Sequence, residues 1–144
     1  MFMGQYSHSI DEKGRLIMPS KYREQLGREF IMTRGADGCL SVYPNDEWKK
    51  IEERVQEIAR INSKEGRRFM RMFFSSAATL ELDKQGRTVV PASLRDYAGL
   101  KKDVELIGSV THIEIWDKDK WNEYLADSDM DEVTEYIAGE GLIF

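Results

Sequence analysis

A five-residue motif occurs twice in this 144-residue chain, with the same order and spacing in both copies. The copies are Asp11-x-x-Gly14-Arg15-x-x-x-Pro19-x-x-x-Arg23 and Asp83-x-x-Gly86-Arg87-x-x-x-Pro91-x-x-x-Arg95. All five matches keep a constant offset of 72 residues, which indicates an internal repeat. Each repeat has a compact unit of roughly 45 residues, a size that rarely folds alone. The duplication therefore constrains the fold more than any other feature.

Short apolar runs flank the Asp-x-x-Gly turn of each motif, at residues 6–10 and 16–18 and again at residues 79–82 and 88–90. Asp can bond to its own backbone and Gly can adopt a positive φ, so each turn is predicted to close a β-hairpin. Pro19 and Pro91 end the second strands and are suited to start two-turn helices over residues 20–26 and 92–98.

Further alternating segments predict a third and a fourth strand in each repeat, at residues 30–33, 40–43, 104–107 and 113–116. Asn45 is expected to cap a helix that runs to about residue 62, and a second helix is expected over residues 64–78. A counterpart helix at residues 121–125 and a last helix, capped by Ser128 and ending at Gly139, precede an apolar tail from Leu142 to Phe144. The predicted class is α+β.

The net charge of −5 does not favour a nucleic-acid partner at first sight, but the charge is unevenly distributed. Residues 127–140 contain six acidic and no basic residues, whereas residues 60–72 contain five basic residues and one acidic residue. The chain has no long apolar run for a membrane span and no signal-peptide pattern. Its single cysteine, Cys39, is expected to be a small core residue. These features predict a cytoplasmic protein without a membrane partner.

Catalytic and cofactor motifs do not occur in the sequence. His8 and His112 are not at metal-ligand spacing with Cys39 or a carboxylate, and no phosphate-binding glycine motif or nucleophile elbow is present. We therefore expect no enzyme activity, no metal, no cofactor and no small-molecule substrate.

The repeated hairpin is open to two interpretations. In the structural one, Asp11 and Asp83 hold their turns by local bonds to the backbone or to Arg15 and Arg87, and the device serves folding alone. In the functional one, a two-stranded ribbon fits the DNA major groove, where arginine bonds to guanine O6 and N7. Lys13 or Lys84 then contacts phosphate, and Asp11 and Asp83 orient the arginines.

Two further groups of basic residues are weaker candidates. Arg23 and Arg95, on the short helices, either contact phosphate or pair with a neighbouring acid. Arg67, Arg68 and Arg71 fit a solvated or subunit-bridging face better than a nucleic-acid site. Their neighbours Phe69, Phe73 and Phe74 fit a core or an interface better than a base-stacking platform.

Three segments of the chain resemble the MraZ family of bacterial regulators. They are residues 1–19 (MFMGQYSHSIDEKGRLIMP), residues 71–77 (RMFFSSA) and residues 82–91 (LDKQGRTVVP). The family's paired Asp-x-x-x-Arg signature falls on Asp11 to Arg15 and on Asp83 to Arg87. Because Gln85 stands where the first copy has Lys13, the first turn is expected to be the more basic.

The resemblance implies two tandem AbrB-like (SpoVT-AbrB, swapped-hairpin, double-psi-like) domains at residues 5–47 and 77–120. Residues 48–76 would be connecting helices, and residues 121–144 a C-terminal helical region with the tail. It further implies a ring-shaped homo-oligomer that associates with the nucleoid. In this family such a ring binds G-rich direct repeats of double-stranded DNA upstream of the division and cell wall gene cluster and regulates it, most often by repression.

Two other functions remain open from the sequence. AbrB-like folds also serve as antitoxins, which are protein-binding modules, although this chain is expected to lack the long disordered tail that such a role usually needs. RNA binding is a third, weaker possibility.

Overall fold

The computed structural model describes residues 1–58 and 60–142. Ile143 and Phe144, the end of the predicted tail, lie outside the described residues. The described chain has an α+β fold with antiparallel strands and six α-helices. The strands are β1 (Gln5–Ser9), β2 (Arg15–Ile17), β3 (Glu29–Arg34), β4 (Leu40–Pro44), β5 (Ala78–Glu81), β6 (Arg87–Val89), β7 (Asp103–Ser109) and β8 (His112–Asp117). The helices are α1 (Ser20–Leu26), α2 (Asn45–Glu57), α3 (Lys64–Ser75), α4 (Ala92–Ala98), α5 (Lys118–Ala126) and α6 (Met130–Gly139).

Strands from the two repeats are interleaved in one sheet. One sheet has the order β1-β7-β8-β4-β3-β5, and a separate two-stranded ribbon consists of β2 and β6. In the ribbon Leu16 lies opposite Thr88, with Arg15 opposite Val89 and Ile17 opposite Arg87. The first and second repeats are thus joined by strand pairing at both the sheet and the ribbon.

The prediction of two local hairpins is correct for the turns and wrong for the strand pairing. The turn between β1 and β2 closes, but only an isolated bridge between Ile10 and Leu16 connects its two arms. Strand β1 pairs with β7, and β5 pairs with β3. Pairing between repeats combines two apolar faces in one core, and a unit of roughly 45 residues is too small to form such a core by itself.

The core contains equivalent residues from both repeats. Met18 and Tyr22 of the first repeat and their counterparts Val90 and Leu94 of the second are at most 1% exposed and belong to one cluster. Helices α1 and α4 have the predicted bounds, and each contributes its apolar side to this cluster. The boundaries of two separate domains stay a prediction.

The other helices differ from prediction mainly at their ends. Helix α2 ends at Glu57 instead of about residue 62, because Ile58 adopts an extended conformation. Its N-cap position is Pro44, so the predicted cap by Asn45 is wrong. Asp129 caps α6 by accepting a hydrogen bond from the amide of Asp131 at 2.9 Å, whereas Ser128 Oγ donates to the carbonyl of Tyr124. Within residues 1–58 and 60–142, no helix has the length and apolar composition needed to span a membrane.

Candidate nucleic-acid interface

The first Asp-x-x-Gly-Arg segment is a closed loop held by the carboxylate of its own aspartate. Oδ1 of Asp11 accepts hydrogen bonds from the backbone amides of Lys13 and Arg15, both at 2.9 Å. The amide of Gly14 donates to the carbonyl oxygen of Asp11, also at 2.9 Å. Aspartate suits this position because its short side chain reaches the amides two and four residues further along the chain.

The second loop repeats this arrangement. Oδ1 of Asp83 accepts from the amides of Gln85 and Arg87, both at 2.9 Å, and the amide of Gly86 donates to the carbonyl of Asp83 at 3.0 Å. The two loops share one geometry although their middle residues differ. The conformation therefore depends on the Asp, Gly and Arg positions that recur in the sequence.

The second oxygen of each carboxylate orients the arginine of its loop. Oδ2 of Asp11 accepts from Nε of Arg15 at 2.6 Å, and Oδ2 of Asp83 accepts from Nε of Arg87 at 2.9 Å. Within the described residues, Nη1 and Nη2 of both arginines form no hydrogen bond or ion pair with the protein. Each guanidinium is held at one edge and retains two terminal nitrogens for an external acceptor.

These contacts lower the pKa of both loop carboxyls. For Asp11 the largest cause is the hydrogen bond from the Arg15 amide, and for Asp83 it is the hydrogen bond from the Arg87 amide. The hydrogen bond and charge of the arginine side chain lower each pKa further, while partial desolvation of the carboxyl raises it. Because the loops are exposed, solvent screens the ion pairs, and their main effect is to orient the arginines.

Both arginines point to the same face of the β2–β6 ribbon. Side chains alternate between the faces of a strand, so Arg15 and Ile17 share a face, and their partners Val89 and Arg87 share it with them. Leu16 and Thr88 lie on the other face and are buried. Standard strand dimensions place the two arginine Cα atoms about 8 Å apart, on a diagonal across the ribbon.

The short helices fix the loops across the repeats. Gly14 and Gly86 have φ values of +80° and +77°, which disfavour any side chain. A Cβ on Gly14 would lie 2.9 Å from Cζ of Arg95, and a Cβ on Gly86 would overlap the guanidinium of Arg23. The arginine of each helix therefore covers the loop of the opposite repeat. Arg23 is also anchored locally, because its Nε donates to the carbonyl of Met18 at 2.7 Å.

An open groove of about 790 Å³ runs beside the ribbon. Its basic lining residues are Arg15, Arg23, Arg28, Lys84 and Arg87, and its acidic ones are Glu81 and Asp83. The groove is positively charged overall, although the whole chain is acidic. A groove of this sign next to two free guanidinium edges can bind a polyanion, with arginines available for bidentate contacts.

Comparison with known proteins identifies the family. The family model described as "MraZ protein, putative antitoxin-like" matches residues 1–71 and 73–136. A protein of Acetivibrio thermocellus named "Transcriptional regulator MraZ" is 47% identical over 144 residues, covering 99% of this chain and all of that protein. Proteins with the same name from Lachnoclostridium phytofermentans and Heliobacterium modesticaldum are 46% and 51% identical, over 100% and 86% of both chains.

The chain belongs to the MraZ family. The resemblance drawn from the three sequence segments is thereby confirmed. Membership makes the chain a transcriptional regulator, which is not an enzyme class. The MraZ signature positions are the residues that build the two loops, so family membership and loop geometry direct attention to the same part of the molecule.

The structure brings most of the predicted site residues of this MraZ chain together. Arg15, Arg87 and Lys84 line the groove, and Asp83 holds its loop in the orienting role proposed for it. Lys13 is exposed at the tip of the first loop and is not part of the groove lining.

Sequence reasoning missed Arg28 in the groove and the apolar pair Ile17 and Val89 between the arginines. These two apolar side chains are 43% and 52% exposed, which is unusual for strand residues beside a core. The alternation of apolar residues in β2 and β6 was visible in the sequence. The face that points outward depends on the pairing between repeats, and the sequence did not reveal that pairing.

The expectation that the first turn is the more basic is wrong. Asp11 and Glu12 balance Lys13 and Arg15 in the first loop. In the second loop Lys84 occupies the position equivalent to Glu12, so this loop has two basic residues, Lys84 and Arg87, and one acidic residue, Asp83. The second loop therefore has the positive excess.

Other predicted residues lie apart from the groove. Cys39 is fully buried, and burial raises the pKa of its thiol to about 12, as expected for a core residue that is not a nucleophile. Arg68 on α3 pairs with Glu65 at 3.2 Å. Phe73 of the same helix stacks on Trp48 with ring centres 5.4 Å apart, which supports a packing role.

Proposed function

We propose that this chain is a cytoplasmic, nucleoid-associated, DNA-binding transcriptional regulator. Its operator is a set of G-rich direct repeats upstream of its own division and cell wall gene cluster, which it represses. The observation that carries the proposal is the pair of oriented arginines on one face of the β2–β6 ribbon, whose terminal nitrogens have no partner within residues 1–58 and 60–142. A two-stranded ribbon fits the major groove, and a guanidinium edge matches guanine O6 and N7.

The contacts divide into base and phosphate contacts. Arg15 and Arg87 contact guanines, whereas Lys13 and Lys84 contact phosphates. Arg28 joins the phosphate contacts because it lines the same groove. Ile17 and Val89 lie between the arginines, where an exposed apolar side chain can meet a thymine methyl group. Arg23 and Arg95 support the loops and are secondary contacts.

We further propose that the protein acts as a ring-shaped homo-oligomer. Helix α6 has no buried residue and exposes Met130, Val133 and Ile137 on one side, a surface that a second copy can cover. A ring presents the ribbon repeatedly, so several weak contacts on spaced operator repeats combine through effective concentration. In this assembly the units at residues 5–47 and 77–120 act as the two AbrB-like domains.

The direct test is a binding assay on the upstream DNA of the gene with arginine variants. Arg15→Ala and Arg87→Ala are each expected to lose about 1–3 kcal/mol of binding free energy for every guanine contacted. Arg15→Lys, which keeps the charge and loses the planar fork, is expected to lose a similar amount of sequence discrimination. If both alanine variants bind this DNA as tightly as the parent, the assignment of the two arginines is wrong.

Lysine variants provide the matched comparison. Lys13→Ala and Lys84→Ala are each expected to reduce the slope of log affinity against log salt by about 0.9, with no change in sequence preference. A loss of sequence preference in these variants would contradict the division between base and phosphate contacts. Short G-rich direct repeats about one helical turn apart, ~10.5 base pairs, are expected in the upstream DNA.

A protein-binding function of the antitoxin type is the second candidate, because the matching family model carries the words "antitoxin-like". It predicts a stoichiometric protein partner in a pull-down and no salt-sensitive DNA affinity. The two functions are separated by the same arginine variants, since only the DNA-binding function requires the free guanidinium edges.

A further inference from the structure

A second cavity, of about 600 Å³, lies apart from the ribbon groove. It is bounded by β4 and β8 of the large sheet, by α3, and by the segment that follows β3. None of its lining residues lines the groove beside the loops. Its volume is in the range of small-molecule binding sites.

Aromatic rings from β4, α3, α4 and β8 line this cavity. Phe69 and Phe73 of α3 stack with ring centres 5.0 Å apart, and Tyr43 stacks on His112 at 4.9 Å. Phe69 and Met72 are 46% and 54% exposed at the cavity edge. A partly exposed aromatic ring such as Phe69 favours contact with a flat, unsaturated ligand over a branched aliphatic one.

The charged groups of the cavity leave the cation of Arg34 without an ion-pair partner. Arg34 lines the cavity, and within the described residues its Nη1 and Nη2 form no hydrogen bond or ion pair; its guanidinium lies 5.0 Å from the ring centre of Tyr97. The acid of the cavity, Glu114, is already engaged, because Oε1 accepts from Trp116 Nε1 at 3.2 Å. Its Oε2 lies 3.8 Å from Nε2 of His112. A guanidinium that lines a cavity and has no ion-pair partner can donate two parallel hydrogen bonds to an anionic acceptor.

We propose that this cavity is a binding site for a small, flat aromatic anion. Its ring lies against Tyr43 and the exposed ring of Phe69, and its carboxylate, sulfonate or phosphate group accepts hydrogen bonds from Arg34.

The cavity is connected to the first DNA-binding loop through helix α4. Tyr97 lines the cavity and donates a hydrogen bond from its hydroxyl to the carbonyl of Gly35 at 2.8 Å. Two residues earlier on the same helix, Arg95 covers Gly14 of the loop that holds Arg15. A ligand that moves Tyr97 therefore acts on the support of the loop, so the site suits an effector. This regulatory role rests on the proposed DNA-binding function, whereas ligand binding itself does not.

The probe for ligand binding is 2-naphthoate, with the neutral 2-naphthamide as its matched counterpart. By calorimetry on the full chain without DNA, 2-naphthoate is expected to bind saturably, about tenfold or more tightly than the amide. Arg34→Gln should abolish this preference, and Arg54→Gln, which removes an exposed arginine of α2 outside the cavity, should preserve it. The site is refuted if 2-naphthoate shows no saturable binding, if the amide binds equally well, or if Arg34→Gln has no effect.

A second pair of variants covers the case in which Arg34→Gln does not fold. Met72 is exposed at the edge of the cavity, so its replacement is expected to leave the core intact. Met72→Glu should weaken binding of 2-naphthoate by repulsion, and Met72→Lys should not. Equal affinities of these two variants would contradict an anion site at this position.

The regulatory role is tested by adding operator DNA. Linkage requires that 2-naphthoate change the DNA affinity by the same factor by which DNA changes the affinity for 2-naphthoate. A factor of one in both directions would exclude the effector role and leave the binding site intact. If the parent chain does not bind DNA at all, the proposed function fails, while the calorimetric result still decides the site.

Discussion

The carboxylate of Asp11 has two roles that a single substitution can separate. One oxygen closes the loop through backbone amides, and the other orients Arg15. Asp11→Asn keeps an acceptor for the amides and removes the charge that holds Nε of Arg15. We expect this variant to stay folded and to lose about tenfold in the ratio of operator to unrelated DNA affinity. Affinity for unrelated DNA should not fall, because a negative charge near phosphate is removed.

The measurement for Asp11→Asn is the pair of dissociation constants on operator and unrelated DNA at one salt concentration. Asp11→Ala is the companion variant, because it loses both roles and should also destabilise the loop. An unchanged affinity ratio in Asp11→Asn would show that the ion pair does not orient Arg15 for base contacts.

The lowered pKa values of Asp11 and Asp83 predict the pH dependence of the loops. A carboxyl whose pKa is lower in the folded state contributes its full stabilisation above the ordinary value of 3.8. That contribution is lost as the pH falls below 3.8 through the lowered values. The amide resonances of Lys13 and Gln85 in nuclear magnetic resonance spectra should therefore shift only in acid, below pH about 4. A loop titration near neutral pH would contradict the assigned hydrogen bonds.

The two loop glycines should differ in their tolerance of alanine. Both have a positive φ, which costs a non-glycine residue roughly 1–2 kcal/mol. At Gly86 the added methyl group also overlaps the Arg23 guanidinium, whereas at Gly14 it meets Arg95 less closely. Gly86→Ala should therefore lower the free energy of unfolding more than Gly14→Ala. Urea denaturation measures both, and the opposite order would contradict the closer support of the second loop.

The site was predictable where the chemistry is local to the sequence. The roles of Asp and Gly in the loops follow from spacing alone, because their partners lie within four residues. Arg28, Ile17 and Val89 could not be assigned, since their exposure on the ribbon and groove depends on pairing between segments about 70 residues apart. The same holds for Arg23, whose guanidinium covers a glycine of the opposite repeat.

At the scale of strands and helices, the two halves of the chain complete each other. Strand β1 of the first repeat forms its backbone hydrogen bonds with β7 of the second, and β2 forms them with β6. The fragment of residues 1–63, produced alone, is therefore expected to show no cooperative thermal unfolding in circular dichroism. Coexpression with residues 64–144 should restore a single transition, because the cut lies at the start of α3 and interrupts no helix or strand. Cooperative unfolding of the first fragment by itself would show that one repeat is a complete folding unit.

The repeat predicted most elements, and it misled on one point of topology. The bounds of α1 and α4 follow from a proline at the start and an apolar pattern, both local signals. Strand partners are not local signals, because a turn can close while its arms pair elsewhere, as β1 pairs with β7 and β2 with β6. The exchange of partners becomes favourable only through the shared core, which includes Tyr22 and Leu94.

At the scale of the whole molecule, charge is segregated along the chain. The ribbon groove is basic, whereas residues 127–140, which include α6, hold six acidic and no basic residues. The C-terminal region would be repelled by a DNA duplex lying in the groove. Helix α6 is thereby left free for contacts with another copy, which its exposed apolar side chains favour.

The proposed oligomer can be tested on this helix. Val133 is 49% exposed within the apolar side of α6, so Val133→Glu places a charge in the expected subunit contact. Gly139→Glu is the matched control, since it adds the same charge on the opposite side of the helix, where nothing lies within 4 Å of the added Cβ. By light scattering coupled to size-exclusion chromatography, Val133→Glu should reduce the mass of the assembly and Gly139→Glu should not. If several ribbons of one assembly bind an operator together, as proposed, Val133→Glu should also lower affinity for an operator with several repeats far more than affinity for a single repeat. Equal losses on both DNAs would mean that the assembly does not multiply the contacts made by Arg15 and Arg87.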